Sequence, residues 1–364
     1  MRVMIVAGGT GGHVYPALAT AQALIKRYPD VTLHFVGTTD GFERPLVQNA
    51  NVQFDSYDEV HAGPLHGVNP LRAIHSLYKL TFGVFQAVRV LNRHKPQVIL
   101  STGGWASLPV ALAAWFKRIP MLIYLPDIEP GLTIKVLKRF ATKVAITVPE
   151  SAQYFKPGQT VVTGYPLRAE IREATRQAAI QHFNLDPQRK TLLVFGGSRG
   201  ARVINIALGN ILPKLLQDGV QVLHITGTLD WQRSQEQVAQ VKNHPHYHAF
   251  PYLHDDMGLA FAAADLAVCR AGASILGEFP FFALPSILIP LAYNWRYQQV
   301  NADYLAQRGA AIHLDENRMQ DELLDIIQRL FADSDELEKM KSCAQALHVP
   351  DGAENIAQAL ADMI

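Results

Sequence analysis

The stretch ADLAVCRAGASILGEFPFFALPSILIPLAYNWRYQQVNA, Ala264 to Ala302, decides how this chain is read. It opens with Leu266 to Cys269, a short apolar run with the length and content of a buried strand. Arg270, Ala271, Gly272, Ala273 and Ser274 follow, and the small residues among them let the backbone turn sharply into a helix. A helix N-terminus after a buried strand offers free N–H groups and the positive end of the helix dipole to an anion. Glu278 lies one helical turn past Ser274, so both can share a face, and its carboxylate can accept hydrogen bonds from ribose hydroxyls. A second apolar run, Pro285 to Pro290, comes next, with Gln298 and Asn301 beyond it. The pattern fits a nucleotide-diphosphate site at the carboxyl ends of parallel strands. Taken alone it also fits an ordinary strand–helix–strand crossover, and the rest of the chain separates the two.

Upstream of this stretch, Leu192 to Phe195 reads as a strand that runs into the glycine turn GGSRGARVIN, Gly196 to Asn205. Strands at Val220 to Ile225, His248 to Phe250, Ser286 to Ile289 and Ala311 to Leu314 continue the series, and the residues from Asp321 onward read as helical. The first half repeats the plan. Val3 to Val6 is strand-like and leads into GGTGGHVYP, Gly8 to Pro16, and then a helix, Ala17 to Ile25. Strands follow at Val31 to Val36, Val98 to Leu100, Met121 to Tyr124, Val144 to Thr147 and Thr160 to Thr163, with a long helix at Pro70 to Asn92. GTTDGFE, Gly37 to Glu43, reads as a loop, and STGGWASLP, Ser101 to Pro109, as a further glycine turn that opens a helix. Such alternation implies parallel sheets covered on both faces. The fold class is α/β, with two doubly wound halves joined near residues 163 to 168 and a polar helix after the join, Ala169 to Phe183.

Composition excludes several classes. The chain has 364 residues, so two domains are expected, and 49% apolar against 18% charged residues means ordinary cores. A net charge of +1 creates no global field toward nucleic acid, so an anionic partner must be met by a local patch. Cys269 and Cys343 are far apart and form no CxxC pair, which fits a reducing cytoplasm and no structural zinc. The N-terminal MRVMIVAGG reads as a core strand, not as a signal peptide. The uncharged part of the run from Phe279 to Tyr293 is too short and too proline-rich to span a bilayer.

The glycine turns Gly8 to Gly12 and Gly196 to Gly200 occupy equivalent places in the two halves, where bare backbone lets a phosphate approach. Neither spells G-x-G-x-x-G, and the second strand ends in Gly37 and Thr38, not in the acidic residue that would hold a dinucleotide ribose. Neither is a Walker A loop. His13 follows the first turn at a helix start, where it would be held neutral, as a base must be; it also suits capping or packing. Glu43 reads either as a functional group or as a solvated loop carboxylate. Asp255, Asp256, Asp333 and Asp335 read as turn or cap residues, and no metal site is expected. Arg168, closing GYPLR at the join, suits a pyrophosphate.

Asn69 to Lys95 places Leu71, Ile74, Leu77, Tyr78, Phe82, Phe85 and Val88 at helical spacing, among basic residues and no acid. Its apolar content is wider than one packed face needs, a composition suited to resting on an anionic bilayer. AWFKRIP, Ala114 to Pro120, adds Trp115 beside Lys117 and Arg118.

With these motifs in order, the chain resembles the GT-B glycosyltransferases, and within them the MurG type. The resemblance runs nearly end to end. It rests on GGTGGHVYPALA, GTTDGFE, STGGWASLP, VTGYPLR, GGSRGARVIN, CRAGAS with Glu278, and the segment from Gln298 to Ala302. It implies two Rossmann-like domains facing across a cleft: 1–163 for acceptor and membrane, 164–345 for the UDP-sugar, and a C-terminal helix, 346–364, packing back on the first domain. It implies inverting transfer of N-acetylglucosamine from its UDP donor to lipid I, giving lipid II for peptidoglycan, without a cofactor or metal. By the same resemblance Thr10, Gly11 and Gly12 face the donor's sugar-phosphate side. Arg168 and Ser198 hold the diphosphate, Leu253 packs by the uracil, Glu278 takes the ribose and Gln298 touches the sugar. His13 is the candidate base, with Asp127 a second candidate. The partners implied are UDP-N-acetylglucosamine, a polyprenyl-linked lipid acceptor and an anionic membrane surface met by Asn69 to Lys95, but no nucleic acid. The location implied is peripheral, on the cytoplasmic face of the cell membrane.

The sequence departs from the family pattern at three places. Tyr124, Leu125, Pro126 and Asp127 stand where a His-Glu-Gln-Asn run is usual, Trp105 where tyrosine is common, and Arg199 where glutamine is usual. Asp127 can accept a hydrogen bond where an amide would also donate one. Two other readings stay open: transfer to another lipid such as diacylglycerol, and a non-catalytic UDP-sugar-binding membrane subunit.

Overall fold

The computed structural model describes the chain apart from residues 10, 40, 42, 64–69, 198–199 and 292–295, and apart from the side chains of residues 70–77. The described chain divides into two compact units, Met1–Arg168 with Val349–Ile364, and Ala169–His348.

In the first unit, β1 (Arg2–Val6) leads to α1 (Gly11–Arg27), β2 (Thr32–Thr38), α2 (Glu43–Gln48) and β3 (Ser56–Val60). Then come α3 (Pro70–His94), β4 (Val98–Ser101), α4 (Ser107–Lys117) and β5 (Met121–Leu125). The series ends with α5 (Leu132–Leu137), β6 (Lys143–Ile146) and β7 (Thr160–Val162). The seven strands form one parallel sheet in the order β3-β2-β1-β4-β5-β6-β7. Val3 to Val6 and all of β5 are buried on both faces, which explains their unbroken apolar runs.

The second unit runs α6 (Ala169–Arg172), α7 (Arg176–Phe183), β8 (Thr191–Phe195), α8 (Arg202–Gln217), β9 (Gln221–Ile225) and α9 (Trp231–Gln237). It continues with β10 (Tyr247–Phe250), α10 (Met257–Ala263), β11 (Leu266–Cys269), α11 (Ile275–Phe282) and β12 (Ser286–Leu288). It closes with α12 (Arg296–Gln307), β13 (Ala311–His313), α13 (Met319–Ala332) and α14 (Ser334–Ala346). Its parallel sheet has the order β10-β9-β8-β11-β12-β13. The chain then returns to the first unit with α15 (Gly352–Ala361), which packs on α1.

Three details go beyond the sequence reading. The division falls after Arg168, at the end of the join expected near residues 163 to 168, because GYPLR is bound to the returning segment. A Cβ on Gly164 would lie 2.9 Å from the Val349 side chain, one on Gly352 would lie 2.3 Å from the Tyr165 carbonyl oxygen, and Asn355 Nδ2 donates to the Thr163 carbonyl at 3.0 Å. The polar helix after the join is two helices, α6 and α7, separated where Thr175 accepts the Ala178 N–H and starts the second. Finally, β3 carries the sequence SYDEV, whose mixed polarity reflects a half-buried sheet edge.

Candidate active site

Each sheet reverses its strand order once, between β1 and β4 in the first unit and between β8 and β11 in the second. Neighbouring crossovers leave in opposite directions there, which opens a crevice beyond the carboxyl ends of the two strands. The glycine turns stand at these points.

In the first unit the turns after β1 and β4 interlock. Gly103 and Gly104 adopt φ of +112° and +89°, and a Cβ on Gly104 would lie 2.3 Å from the Gly8 carbonyl oxygen. Only glycine allows both the angle and the approach. Thr102 Oγ1 donates to the His13 carbonyl at 2.6 Å, and Ser107 Oγ donates to the Gly103 carbonyl at 2.8 Å. His13 lies in the first turn of α1 with Nδ1 3.1 Å from the Gly8 carbonyl oxygen. A carbonyl can only accept, so Nδ1 carries a proton. Burial of the ring among protein atoms pushes its pKa below the usual 6.5, against a smaller upward pull from the Gly8 bond. The neutral ring is therefore the Nδ1–H tautomer, and Nε2 holds the basic lone pair. Gly103 leaves room beside that edge, since a Cβ there would lie 3.0 Å from Nε2.

Gly11 and Gly12 open α1, and Tyr15 follows one turn later. The Arg168 guanidinium stacks over the Tyr15 ring, 4.3 Å from its centroid. Thr10, expected by the sugar-phosphate, lies outside the described residues.

Glu43 is not a solvated loop carboxylate. It is fully buried; Thr38 donates to Oε1 through both its N–H and its hydroxyl, and the Gly9 N–H donates to Oε2 at 3.3 Å. The carboxylate fits because Gly8, Gly37 and Gly41 lack side chains; a Cβ on each would lie within about 3.1 Å of it. Glu43 thus ties the first glycine turn to the end of β2.

The segment from Tyr124 to Asp127 splits in the structure. Tyr124 and Leu125 belong to β5 and are buried, with Tyr124 Oη 2.9 Å from Thr147 Oγ1. Burial raises the Tyr124 pKa well above 10, with the Asp127 charge a lesser cause. Asp127 emerges half-buried at the carboxyl end of β5.

In the second unit Gly197 and Gly200 adopt φ of +85° and +79°, and the Gly200 N–H donates to the Gly197 carbonyl at 2.9 Å. A Cβ on Gly196 would lie 2.0 Å from the Ala201 nitrogen. The turn is wound tightly before α8, whose first N–H groups face the crevice end of the sheet. Ser198, the expected diphosphate contact, and Arg199 lie outside the described residues. Across the switch point, Glu278 is half-buried in α11, its N–H bonded to the Ser274 carbonyl at 2.8 Å. Asn301 is fully buried and donates to the Ala271 carbonyl at 3.2 Å, while Gln298 Oε1 accepts the Leu291 N–H at 3.1 Å. Both therefore brace the turns after β11 and β12 from α12. Arg270 is committed to Glu316, at 2.6 Å, and to the Ile289 carbonyl, at 3.0 Å. Leu253 is half-buried beyond the carboxyl end of β10.

The structure therefore gathers His13, Gly11, Gly12, Arg168 and Asp127 at the crevice end of the first sheet. Glu278, Gln298 and Leu253 lie at that end of the second. Tyr15, Glu43 in its buried role, Asn205 and His224 were not singled out by sequence.

Two doubly wound parallel units, each with a glycine turn at its switch point, have the GT-B architecture. The model of the glycosyltransferase family 28 N-terminal domain matches residues 3–146, and that of the family 28 C-terminal domain matches residues 191–356. The chain belongs to glycosyltransferase family 28. It is 36% identical to the UDP-N-acetylglucosamine–N-acetylmuramyl-(pentapeptide) pyrophosphoryl-undecaprenol N-acetylglucosamine transferase of Roseiflexus sp. (strain RS-1), over 100% of this chain and 95% of that protein. The enzyme of the same name from Desulforamulus reducens is also 36% identical, over 98% and 97%. The crystal structure of Acinetobacter baumannii MurG superimposes with a TM-score of 0.76 at 25% identity, covering 99% of each chain.

Proposed function

We propose that this chain transfers N-acetylglucosamine from UDP-N-acetylglucosamine to lipid I, inverting the anomeric carbon. One observation carries the chemistry: the Nδ1–H of His13 is spent on the Gly8 carbonyl, so Nε2 is the basic atom. In the step, the acceptor hydroxyl oxygen bonds to the anomeric carbon while the bond from that carbon to the diphosphate oxygen breaks. Nε2 takes the hydroxyl proton, and UDP leaves with the electron pair. The charge that develops on the diphosphate is met by backbone N–H groups at the start of α8. Arg168, which Tyr15 holds in place, is the cation that the first unit offers to a diphosphate. Glu278 accepts from the ribose hydroxyls, Leu253 lies by the uracil and Gln298 by the sugar. Asp127 serves the acceptor side. Tyr124, Leu125 and Pro126 are buried, which leaves Asp127 as the half-exposed departure in that run.

Membrane attachment belongs to the same reading. Tyr78 and Phe85 on α3 are each 70% exposed, and Trp115 and Phe116 at the end of α4 are 55% and 68% exposed. Arg89, Arg93, Lys117 and Arg118 are exposed on the same two helices, which pack together. An apolar surface with a basic surround suits an anionic bilayer. A cavity of about 510 Å³ lined by Trp115, Phe116, Arg118, Ile119, Phe140 and their neighbours opens at the amino ends of β5 and β6, away from the glycine turns. Among the described residues no helix is long and apolar enough to cross a membrane. The enzyme would work at the cytoplasmic face.

Incubation with UDP-N-acetylglucosamine and purified lipid I or diacylglycerol tests the reading. Sugar transfer to lipid I is expected. Transfer to diacylglycerol alone, or donor binding without turnover, overturns it.

A further inference from the structure

The second unit contains a buried chain of polar side chains that the mechanism above does not use. It runs from β10 through β9 into α8. Asn205, 2% exposed and one turn inside α8, donates from Nδ2 to the Thr226 carbonyl at 2.9 Å and to Asp230 Oδ2 at 2.8 Å. Both partners only accept, so the orientation of the carboxamide is fixed and Oδ1 faces His224 Nε2 at 3.0 Å. Nε2 must then donate, which leaves Nδ1 as an acceptor, and the Tyr247 hydroxyl donates to it at 2.8 Å. Burial keeps the ring neutral: it drives the His224 pKa down to about 3 and raises that of Tyr247. The proton direction is the same along the whole chain, Tyr247 to His224 to Asn205 to Thr226.

The Thr226 carbonyl is the point where this chain meets the diphosphate turn. A Cβ on Gly200 would lie 2.2 Å from it, so the turn rests directly on that oxygen. The Asn205 N–H bonds the Ala201 carbonyl at 3.0 Å, which joins the carboxamide to the first turn of α8. Thr226 is itself held to β10, its N–H bonded to the Phe250 carbonyl at 3.0 Å. One side chain therefore sets where the N-terminal N–H groups of α8 stand relative to the sheet.

We infer that Asn205, oriented by His224 and Tyr247, is a positioning residue for the donor diphosphate: it aims the N–H groups of Gly200 and the start of α8 without touching the ligand. This rests on the reading that the turn holds the diphosphate. The test compares UDP with uridine, which lacks the phosphates, by calorimetry on the full chain. The variants are Asn205→Asp, which keeps the acceptor for His224 but loses the amide donor to Thr226 and sets a second carboxyl against Asp230, Asn205→Ala, and Tyr247→Phe at the far end. Thermal melts identify the variants that fold.

Both Asn205 variants are expected to bind UDP about tenfold more weakly, and Tyr247→Phe a few-fold more weakly, while uridine affinity stays within about twofold. Equal losses for UDP and uridine, or an unchanged UDP-to-uridine ratio in the folded variants, overturns the inference. If both Asn205 variants fail to fold, Tyr247→Phe alone decides it by the same ratio. If the unaltered chain binds uridine as tightly as UDP, the diphosphate reading of the turn fails instead.

Discussion

The guanidinium of Arg168 lies 4.3 Å over the ring of Tyr15, and the two residues are 153 positions apart in the chain (168 minus 15). Tyr15 stands one helical turn after Gly11, so the stack joins the GYPLR segment to the helix that begins with the first glycine turn. An arginine stem has many rotamers, and a ring beneath it removes most of them before a diphosphate arrives. Tyr15→Ala should therefore raise the KM for UDP-N-acetylglucosamine about five- to tenfold, the size of a partly buried cation–π contact. Tyr15→Phe keeps the ring face and should stay within about twofold. Steady-state kinetics with varied donor checks this; an unchanged KM in Tyr15→Ala would mean that the stack does not serve the donor.

Glu43 presents a different case, because its role is to hold the first turn in shape. Glu43→Ala leaves the Thr38 and Gly9 N–H groups without their acceptor inside the protein, and should destabilise the fold by about 3 kcal/mol or more. Glu43→Gln keeps one acceptor oxygen and the volume, and should cost about 1–2 kcal/mol. Urea unfolding measures both. Equal stability of Glu43→Ala and the unaltered chain would contradict the buried role.

His13 makes a pH prediction whose sign follows from its environment. Its pKa is depressed below 6.5, so the ring stays neutral and basic at pH 7 and protonates only under more acid conditions. The acid limb of kcat should therefore have its midpoint below pH 6.5. The unfolded chain takes up this proton first, so the stability from His13 is complete above about pH 6.5 and is lost as pH falls through the folded pKa. His13→Ala should lower turnover about a hundredfold, remove the acid limb and leave UDP affinity nearly unchanged. A variant that turns over as fast as the unaltered chain would take His13 out of the mechanism.

Much of the architecture was legible because it depends on local signals. Apolar runs such as Val3 to Val6 that end in glycine mark buried parallel strands and their switch-point turns, and both sheets followed from that pattern. The strand Ser56–Val60 was not legible, because an edge strand needs no apolar alternation. The burial of Glu43 was hidden for another reason. Two of its donors belong to Thr38, five residues away, but the third is the N–H of Gly9, 34 residues away, and no local pattern shows a carboxylate closing that distance. Tyr124 was legible as the end of a strand, but the strand Met121–Leu125 runs one residue further, because a Leu-Pro-Asp run suggests a turn from its first letter. Asn205 was the last letter of a glycine motif, and only its long-range bond to the Thr226 carbonyl gives it a role.

The exposed aromatic residues on α3 and α4 lead to the last prediction. Leaving Phe85 and Phe116 in water forgoes about 1.5–3 kcal/mol each relative to burial, so a surface that covers them gains from both. Arg89, Lys117 and Arg118 add an attraction that acts only toward negative lipid and fades as salt shortens its range to about 10 Å or less. The chain should cosediment with vesicles of phosphatidylglycerol but weakly with phosphatidylcholine, and added salt should reduce the difference. Phe85→Ser with Phe116→Ser should cut binding to both vesicle types at least tenfold, because it removes the apolar contribution and leaves the charge. Arg89→Gln with Arg118→Gln should weaken the preference for phosphatidylglycerol and leave the weak binding to phosphatidylcholine. Neither pair lies near the glycine turns, so transfer to an acceptor solubilised in detergent should keep its rate. Vesicle binding that ignores both pairs would place the membrane contact on another face.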